Sequence, residues 1–370
     1  MRGSIRLGKI FGIPIWLHYS WFLIFAFFTI SMSLTFRDSY DWSTTLCWML
    51  GAATSLLLFA SVLTHELSHS IIAIRNGVPV KSITLFIFGG VARIGRESSQ
   101  PSAEFRMAIA GPLCSLTLAG LFALIWWPTH HSNEPVGAVA AWLAWINGSL
   151  AVFNMIPGFP LDGGRVLRSI LWATTHSYRR ATHIATRIGK GVAYLMILGG
   201  VTLVFFGDWY SGLWLAFIGW FLGNAASTSD RQTMLRDSLQ GFVARDVMSR
   251  ECPLVSGDLS LRQLVQVHVL PTGRRCFFVA EGDHLSGIMT MNDIKAVPES
   301  QWDSVTVGQT MTPAPKLQTA RPDDSALSVL DRMDEAELDQ MPVLENGRLV
   351  GIIVRDEMLR LIQTRTELGV

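Results

Sequence analysis

The sequence predicts a polytopic α-helical membrane protein with about six transmembrane helices and a small membrane-associated β-hairpin, followed by a cytoplasmic α+β module. Two observations predict this class. Of the 370 residues, 49% are hydrophobic and only 16% are charged, whereas soluble domains usually carry about a quarter charged residues. Residues 1–229 hold 15 Lys and Arg against 8 Asp and Glu, and residues 230–370 hold 15 against 21. This composition excludes a single soluble globule and a disordered chain, and the acidic second half argues against nucleic-acid binding.

The first half contains runs of about 20 apolar residues, the length that crosses a bilayer as a helix. They lie at 14–36, 46–75, 105–127, 137–156, 183–206 and 209–227. Six spans place both termini on one side of the membrane. Of the 15 Lys and Arg residues in this half, Arg37 alone lies on the opposite side. The positive-inside rule therefore predicts a multi-pass protein of the cell (inner) membrane, in contact with lipid, with both termini and the acidic module in the cytoplasm.

Residues 78–96 are too few and too interrupted to form another span. Their branched and apolar residues favour strands, and Gly89-Gly90 is typical of a hairpin turn. We therefore predict a β-hairpin beside the cytoplasmic face of the membrane. An amphipathic loop is the alternative.

The second apolar run contains His65-Glu66-Leu67-Ser68-His69. Residues four apart share a helix face, so His65 and His69 can bind one Zn²⁺, and Glu66 lies beside the metal as a base. HExxH alone is a weak signal. Here it lies within an apolar span, where polar and charged side chains are costly and usually functional. The alternative is a polar cluster that packs against another helix.

A tetrahedral catalytic zinc needs a third protein ligand and one open position. Two prolines and three glycines between residues 157 and 164 end the helix of the fourth run. Non-helical backbone at membrane depth is tolerated where it is buried in protein or lines a cavity. Asp162 is the carboxylate of this segment, and it is expected on the cytoplasmic half of the membrane, at the depth of His65.

These motifs resemble the site-2 protease family of intramembrane zinc metalloproteases. The matching segments are GIPIWLHYSW (12–21), HELSH (65–69), FGGVARIG (88–95), AGP (110–112) and FNMIPGFPLDGGR (153–165). The resemblance implies that His65, His69 and Asp162 bind zinc and that Glu66 is the catalytic base. It also implies that Asn154 lies close to the metal, where its amide could bind the developing oxyanion or position the substrate carbonyl. The alternative role of Asn154 is to satisfy freed backbone groups.

The acidic half repeats itself at an offset of about 64 residues, so that Ser286-Gly287-Ile288-Met289 corresponds to Val350-Gly351-Ile352-Ile353. Each repeat predicts an amphipathic helix (259–269 and 325–336), two strands and a closing helix. The repeats resemble cystathionine-β-synthase (CBS) domains, which pair in tandem. The predicted domains are therefore a transmembrane zinc metalloprotease domain (1–229) and CBS domains at 242–298 and 305–365.

The CBS resemblance also implies an adenine nucleotide site in the first repeat. CBS domains that hold adenosine ligands typically place a Thr after the second strand and, three residues later, an Asp that contacts ribose. Thr290 and Asp293 match this pattern, whereas Val354 and Glu357 stand in the second repeat. Arg355 is expected to be free to meet phosphate, and the module is a candidate homodimer interface. The alternative is a structural tail that binds no ligand.

Together these observations predict an intramembrane zinc endopeptidase regulated by its CBS pair. The resemblance implies regulated intramembrane proteolysis, with a transmembrane protein as substrate, often an anti-sigma factor in bacteria. The alternatives are a CBS-regulated metal-cation transporter and an inactive protease-fold scaffold. A transporter predicts polar residues along several spans, whereas here they converge on one depth. The intact HExxH and Asp162 argue against the scaffold.

Overall fold

The computed structural model describes residues 3–87, 89–95, 98, 100–239, 241–250, 254–274, 276–281, 284–336, 338–355 and 357–358, without the side chains of 229–238, 281, 284 and 335. Phe88 of the FGGVARIG segment and the end of the second predicted CBS domain lie outside these residues. The chain divides into two compact units, Met1–Thr233 and Met234–Val370. Each unit is described by itself.

The first unit contains most of the apolar sequence. In chain order its elements are β1 (Ser4–Ile10), β2 (Ile13–His18), α1 (Ser20–Ser39), α2 (Thr44–Arg75), β3 (Val80–Phe86), β4 (Gly89–Ile94), α3 (Pro101–Ser132), α4 (Glu134–Asn154), α5 (Asp162–Thr175), α6 (Tyr178–Phe205) and α7 (Trp209–Ser238). Within the described residues, α1, α2, α3, α4 and α6 are long and apolar enough to cross a membrane. The predicted polytopic helical membrane protein is thereby confirmed.

Helix α7 contains the sixth predicted span but is not among those five helices. Its apolar residues are interrupted by polar ones such as Tyr210 and Asn224. A sixth crossing therefore stays a prediction.

The first predicted span begins too early, because residues 14–18 form strand β2 and helix α1 starts at Ser20. Ile13, Ile15 and Leu17 are buried, and the residues between them are half-buried. This alternation is the period of a strand. A short apolar run does not by itself distinguish a strand from the start of a helix.

The predicted hairpin is present as β3 and β4, within a sheet of order β1-β2-β3-β4. Strand β2 pairs parallel to β3 through Ile15 and Ile83, and the other two pairs are antiparallel. Gly89 and Gly90 do not form the turn: they begin β4, and Phe86 pairs with Gly89. Strand β3 is thus interior to the sheet, and β4 is the edge strand next to it.

The sheet packs on the helix that carries HELSH. Leu67 of α2 shares an apolar cluster with Ile13, Ile15 and Ile83. The sheet and the predicted metal ligands are therefore held by the same helix.

The second unit contains the two repeats. Its elements are α8 (Ala244–Val247), β5 (Leu254–Val255), α9 (Leu261–Gln263), a π-helix (Leu264–Val269), α10 (Leu270–Thr272), β6 (Cys276–Glu281), β7 (His284–Thr290), α11 (Met291–Ala296), α12 (Val307–Thr310), β8 (Thr312–Pro313), α13 (Ala326–Glu335), β9 (Gln340–Glu345) and β10 (Arg348–Val354), with 3₁₀ turns at Glu299–Gln301 and Ala314–Lys316. One sheet has the order β5-β6-β7-β10-β9, and β8 also pairs with β7.

The second unit contains two large apolar cores, each formed mainly by one repeat. Phe277, Met289 and Ile294 belong to the first core. The residues 64 positions later, Met341, Ile353 and Met358, belong to the second. Residues that correspond at the 64-residue offset are therefore buried in both repeats.

Candidate metal centre

Three of the predicted site residues converge between α2 and the start of α5. Nε2 of His65 and Nε2 of His69 are 3.1 Å apart. Oδ2 of Asp162 lies 3.3 Å from the first and 3.1 Å from the second. Both histidines are buried, at 4% and 6% exposure. The three donor atoms therefore form a compact, nearly equilateral triangle.

The triangle has the dimensions of one face of a tetrahedral metal site. With metal–ligand bonds of about 2.0–2.1 Å, neighbouring ligand atoms of a tetrahedron are about 3.3–3.4 Å apart. The observed separations of 3.1–3.3 Å are close to this value. Three protein ligands leave the fourth position open, which is the arrangement of catalytic zinc sites.

The hydrogen bonds of the ring nitrogens orient the two histidines. Nδ1 of His69 lies 2.6 Å from the carbonyl oxygen of Met107. A carbonyl only accepts, so this Nδ1 carries the proton and Nε2 presents a lone pair. Nδ1 of His65 lies 2.8 Å from the hydroxyl of Ser115. Such partners of the distal nitrogen are typical of metal-bound histidine.

Met107, Gly111 and Ser115 lie on one face of α3, because residues four apart share a helix face. A Cβ on Gly111 would lie 2.6 Å from Nε2 of His65 and closer still to Nε2 of His69. The missing side chain thus leaves space beside both Nε2 atoms, on the side where a shared metal ion would lie. Gly111 belongs to the AGP segment, which indicates no role for it, and no sequence pattern points to Met107 or Ser115.

Asp162 reaches the histidines because the chain unwinds after α4 and starts again as α5. Helix α5 was not predicted, because Gly163 and Gly164 are residues that usually break helices. A Cβ on either glycine would collide with the backbone of the preceding loop. The N–H of Phe159 in that loop donates to the carbonyl of Ala185 on α6, at 3.4 Å. The glycines therefore permit the loop to lie directly against the first turn of α5.

Glu66 lies beside the three donor atoms and against the edge strand β4. A Cβ on Gly90 would lie 2.5 Å from Cγ of Glu66. The backbone N–H of Ala92 faces the Glu66 carboxylate. Asn154 is the half-buried last residue of α4, at the start of the loop that leads to Asp162. Its contact with the metal stays a prediction.

The second unit contains a cleft of about 930 Å³, and Asp293, the predicted ribose contact, is not among its lining residues. Thr290 and Arg355 line this cleft, together with Arg274 and Lys316. The expectation that Arg355 is free was wrong, because its guanidinium forms a 2.6 Å ion pair with Asp334.

Thr290 and Asp293 form a capping box at the start of α11. The N–H and hydroxyl of Thr290 donate to Oδ2 of Asp293, at 2.8 and 2.7 Å. Cys276 lines the cleft as well. Burial, followed by the charge of Asp293, raises the pKa of its thiol to about 12. The thiol therefore stays protonated and unreactive near neutral pH.

The fold and the site define a class. A helical membrane protein in which HExxH histidines and a carboxylate converge on one buried metal position is a membrane-embedded metallopeptidase. The family model described as peptidase family M50 matches residues 53–132 and 128–198, and the CBS domain model matches 307–364.

Relatives match over almost the whole chain. A Synechocystis protein named as a zinc metalloprotease is 36% identical over 371 residues, covering 98% of this chain and 97% of that protein. Rip3 of Mycobacterium tuberculosis, also named as a zinc metalloprotease, is 34% identical over 367 residues, covering 98% and 93%. The solved site-2 protease of Methanocaldococcus jannaschii is 34% identical and has a TM-score of 0.45, covering 62% of this chain and 95% of that one.

The chain belongs to peptidase family M50. It is a metalloprotease of the membrane, as the motifs predicted, and its second repeat is a CBS domain. Membership of a peptidase family removes the transporter alternative. Zinc is the metal that the relatives' names imply.

Gly111→Ala should weaken zinc binding, because the imidazole rings or helix α3 must shift to accommodate the added Cβ. The added Cβ would occupy the space beside both Nε2 atoms. We expect zinc affinity to fall by at least about tenfold, measured as metal content after dialysis against a graded chelator. Gly120→Ala is the matched control, because the same methyl group on the same helix meets open space. Equal zinc retention in the two variants would show that Gly111 does not border the metal.

Proposed function

We propose that this protein is a zinc endopeptidase that cuts transmembrane segments of other membrane proteins, with His65, His69 and Asp162 as ligands. One observation carries the proposal: three donors have separations close to those of a tetrahedral site, and Gly111 leaves space beside the two imidazole Nε2 atoms. The substrate class is a membrane-spanning protein, with an anti-sigma factor as one bacterial example.

The side chains around the site divide the steps of hydrolysis between them. When bound, zinc polarises the scissile carbonyl and lowers the pKa of a water ligand to about 7. Glu66 takes the proton of the attacking water and passes it to the leaving amine as the C–N bond breaks. Asn154 donates its amide N–H to the oxyanion that develops on the substrate. His69 is kept in the correct tautomer by the Met107 carbonyl.

Glu66→Gln should keep the metal and abolish cleavage. The three ligand side chains remain, whereas the proton acceptor is lost. General base catalysis contributes about 10²–10⁴-fold, so we expect a fall of that size in the rate of peptide hydrolysis with unchanged zinc content. Ser68→Ala, within the same motif, is the control. A rate within tenfold of the parent would contradict the role of Glu66 and would leave the inactive-scaffold alternative open.

The substrate is proposed to bind as an added strand along β4. A helical substrate exposes no backbone to a protease, and strand addition at a sheet edge holds an unwound segment. In the described residues β4 is the edge of its sheet. Its Gly90 and Ala92 contact Glu66. An added strand would therefore run beside the catalytic carboxylate.

Proline at Ala92 should impair cleavage of a helical substrate and leave zinc bound. Proline removes the backbone N–H that faces Glu66, and we expect a loss of about tenfold or more in cleavage. Ile83 and Leu85 are unsuitable for this test, because β3 is interior and pairs with both β2 and β4. Ala92→Ser keeps the N–H and serves as the control. Undiminished cleavage by the proline variant would rule out pairing at this edge.

The membrane orientation and the regulatory module complete the proposal. Both termini and the second unit are cytoplasmic, because the basic residues are concentrated on that side. The repeats at 242–298 and 305–365 pair as CBS domains, bind an adenine nucleotide in the 930 Å³ cleft and regulate cleavage. A second copy of the module is its expected homodimer partner. The hydroxyl of Thr290 on the cleft wall and the basic side chains of Arg274 and Lys316 support a phosphorylated ligand.

Calorimetry of the full-length protein in detergent with ATP, ADP and AMP tests this site. Thr290→Val removes the cleft hydroxyl and should weaken binding about tenfold, since an unpaired polar partner costs about 1–3 kcal/mol. Thr306→Val is the matched control, because Thr306 caps α12 through the same type of capping box. Absence of heat at millimolar nucleotide, or equal binding by both variants, would refute the site.

A further inference from the structure

A buried ion pair joins α3 to α5, the two helices that carry Gly111 and Asp162. Nε of Arg168 donates to Oε1 of Glu104 at 2.8 Å, and Nη2 contacts the same oxygen. Glu104 is 1% exposed and Arg168 is 7% exposed. Neither residue is one of the three metal donors, and the proposed proton transfer does not use them.

The guanidinium of Arg168 also contacts two aromatic rings. Its Cζ lies 4.7 Å from the ring centre of Phe159 and 4.8 Å from that of Tyr178. Phe159 belongs to the loop before Asp162, and Tyr178 is the first residue of α6. Guanidinium groups stack on aromatic faces while their N–H groups hold a carboxylate. Arg168 therefore joins α3, α6 and the loop that leads to Asp162.

Helix α3 contacts both histidines directly, and it contacts the helix of Asp162 through Glu104. Glu104 lies three residues before Met107, and Gly111 and Ser115 follow at intervals of four, so the four residues share one face. Met107 and Ser115 hold the two histidines. Glu104 holds Arg168, which lies six residues, or about 9 Å of helix, after Asp162. The ion pair thus connects the third donor to the helix that already fixes the first two.

We propose that Glu104 and Arg168 are positioning residues that hold Asp162 at bonding distance from the metal. The inference rests on the proposed function, because it takes His65, His69 and Asp162 as ligands. A buried ion pair is a poor source of stability compared with apolar packing. Its two hydrogen bonds instead fix the position of α5 relative to α3. Asp162 depends on this, because α5 is a short helix that is not one of the five apolar helices.

The test is a Co²⁺ titration of the full-length apoprotein in detergent. The visible d–d absorption of Co²⁺ is strong in a four-coordinate site, and it weakens when a misplaced protein ligand lets further waters bind and raise the coordination number. Arg168→Gln leaves a buried carboxylate without this partner and can unfold the protein, so the double variant Glu104→Gln/Arg168→Gln is titrated beside it. Ile170→Ala is the matched control, because Ile170 is an exposed residue of the same helix.

In folded double variant we expect Co²⁺ affinity to fall by about 10–100-fold, with a weaker d–d band at saturation. Ile170→Ala should retain the affinity and the band of the parent. A merely structural role would lower the unfolding midpoint and leave the band of the folded protein unchanged, and that result would overturn the inference.

His65→Ala distinguishes this inference from the proposed function. Loss of Co²⁺ binding in His65→Ala, with parental affinity and spectrum in the folded double variant, would overturn the positioning role alone. Retention of parental Co²⁺ binding in His65→Ala would overturn the metal site itself.

Discussion

The close approach of α3 to the two histidines of α2 is the contact on which the rest of the site depends. Gly111 permits this approach, since any side chain there would collide with both imidazole rings. Because the helices lie so close, a backbone carbonyl at Met107 and a hydroxyl at Ser115 reach the distal ring nitrogens. Buried imidazoles need such partners, because a buried polar group without a hydrogen bond is costly. One small residue therefore allows two polar rings to be buried in a fixed orientation.

The candidate metal ligands and the candidate base could be predicted from the sequence, because their side chains are of distinctive type and spacing. His65, Glu66 and His69 form a helical motif, and Asp162 follows a segment that cannot continue a helix. The groups on α3 that contact the two histidine rings could not be predicted. Met107 contributes only a carbonyl oxygen, which every residue carries, and Ser115 is an ordinary residue of an apolar helix. Only tertiary packing distinguishes these positions from their neighbours.

The errors in the fold have equally specific causes. Strand β2 is followed directly by the apolar residues of α1. Hydropathy alone therefore predicted one span where the structure has a strand and a helix. Gly163 and Gly164 lie in helix α5 although glycine disfavours helices, because any side chain there would collide with the loop before them. Tertiary packing, and not local helix propensity, therefore explains these two residues. The ion pair of Arg355 with Asp334 joins residues from different elements of one repeat. No local pattern indicates such a partner, whereas the offset of 64 residues correctly indicated corresponding core positions.

The order of the donors along the chain has a consequence for biosynthesis. Asp162 follows His65 by 97 residues, and α3 and α4 are made between them. While the ribosome is still adding those helices, the nascent chain contains two imidazoles and Glu66 but no third donor. The donor set is complete only after the loop and the first turn of α5 have been synthesised and packed against α3. The candidate metal centre is thus assembled late, when most of the membrane helices that precede Asp162 already exist.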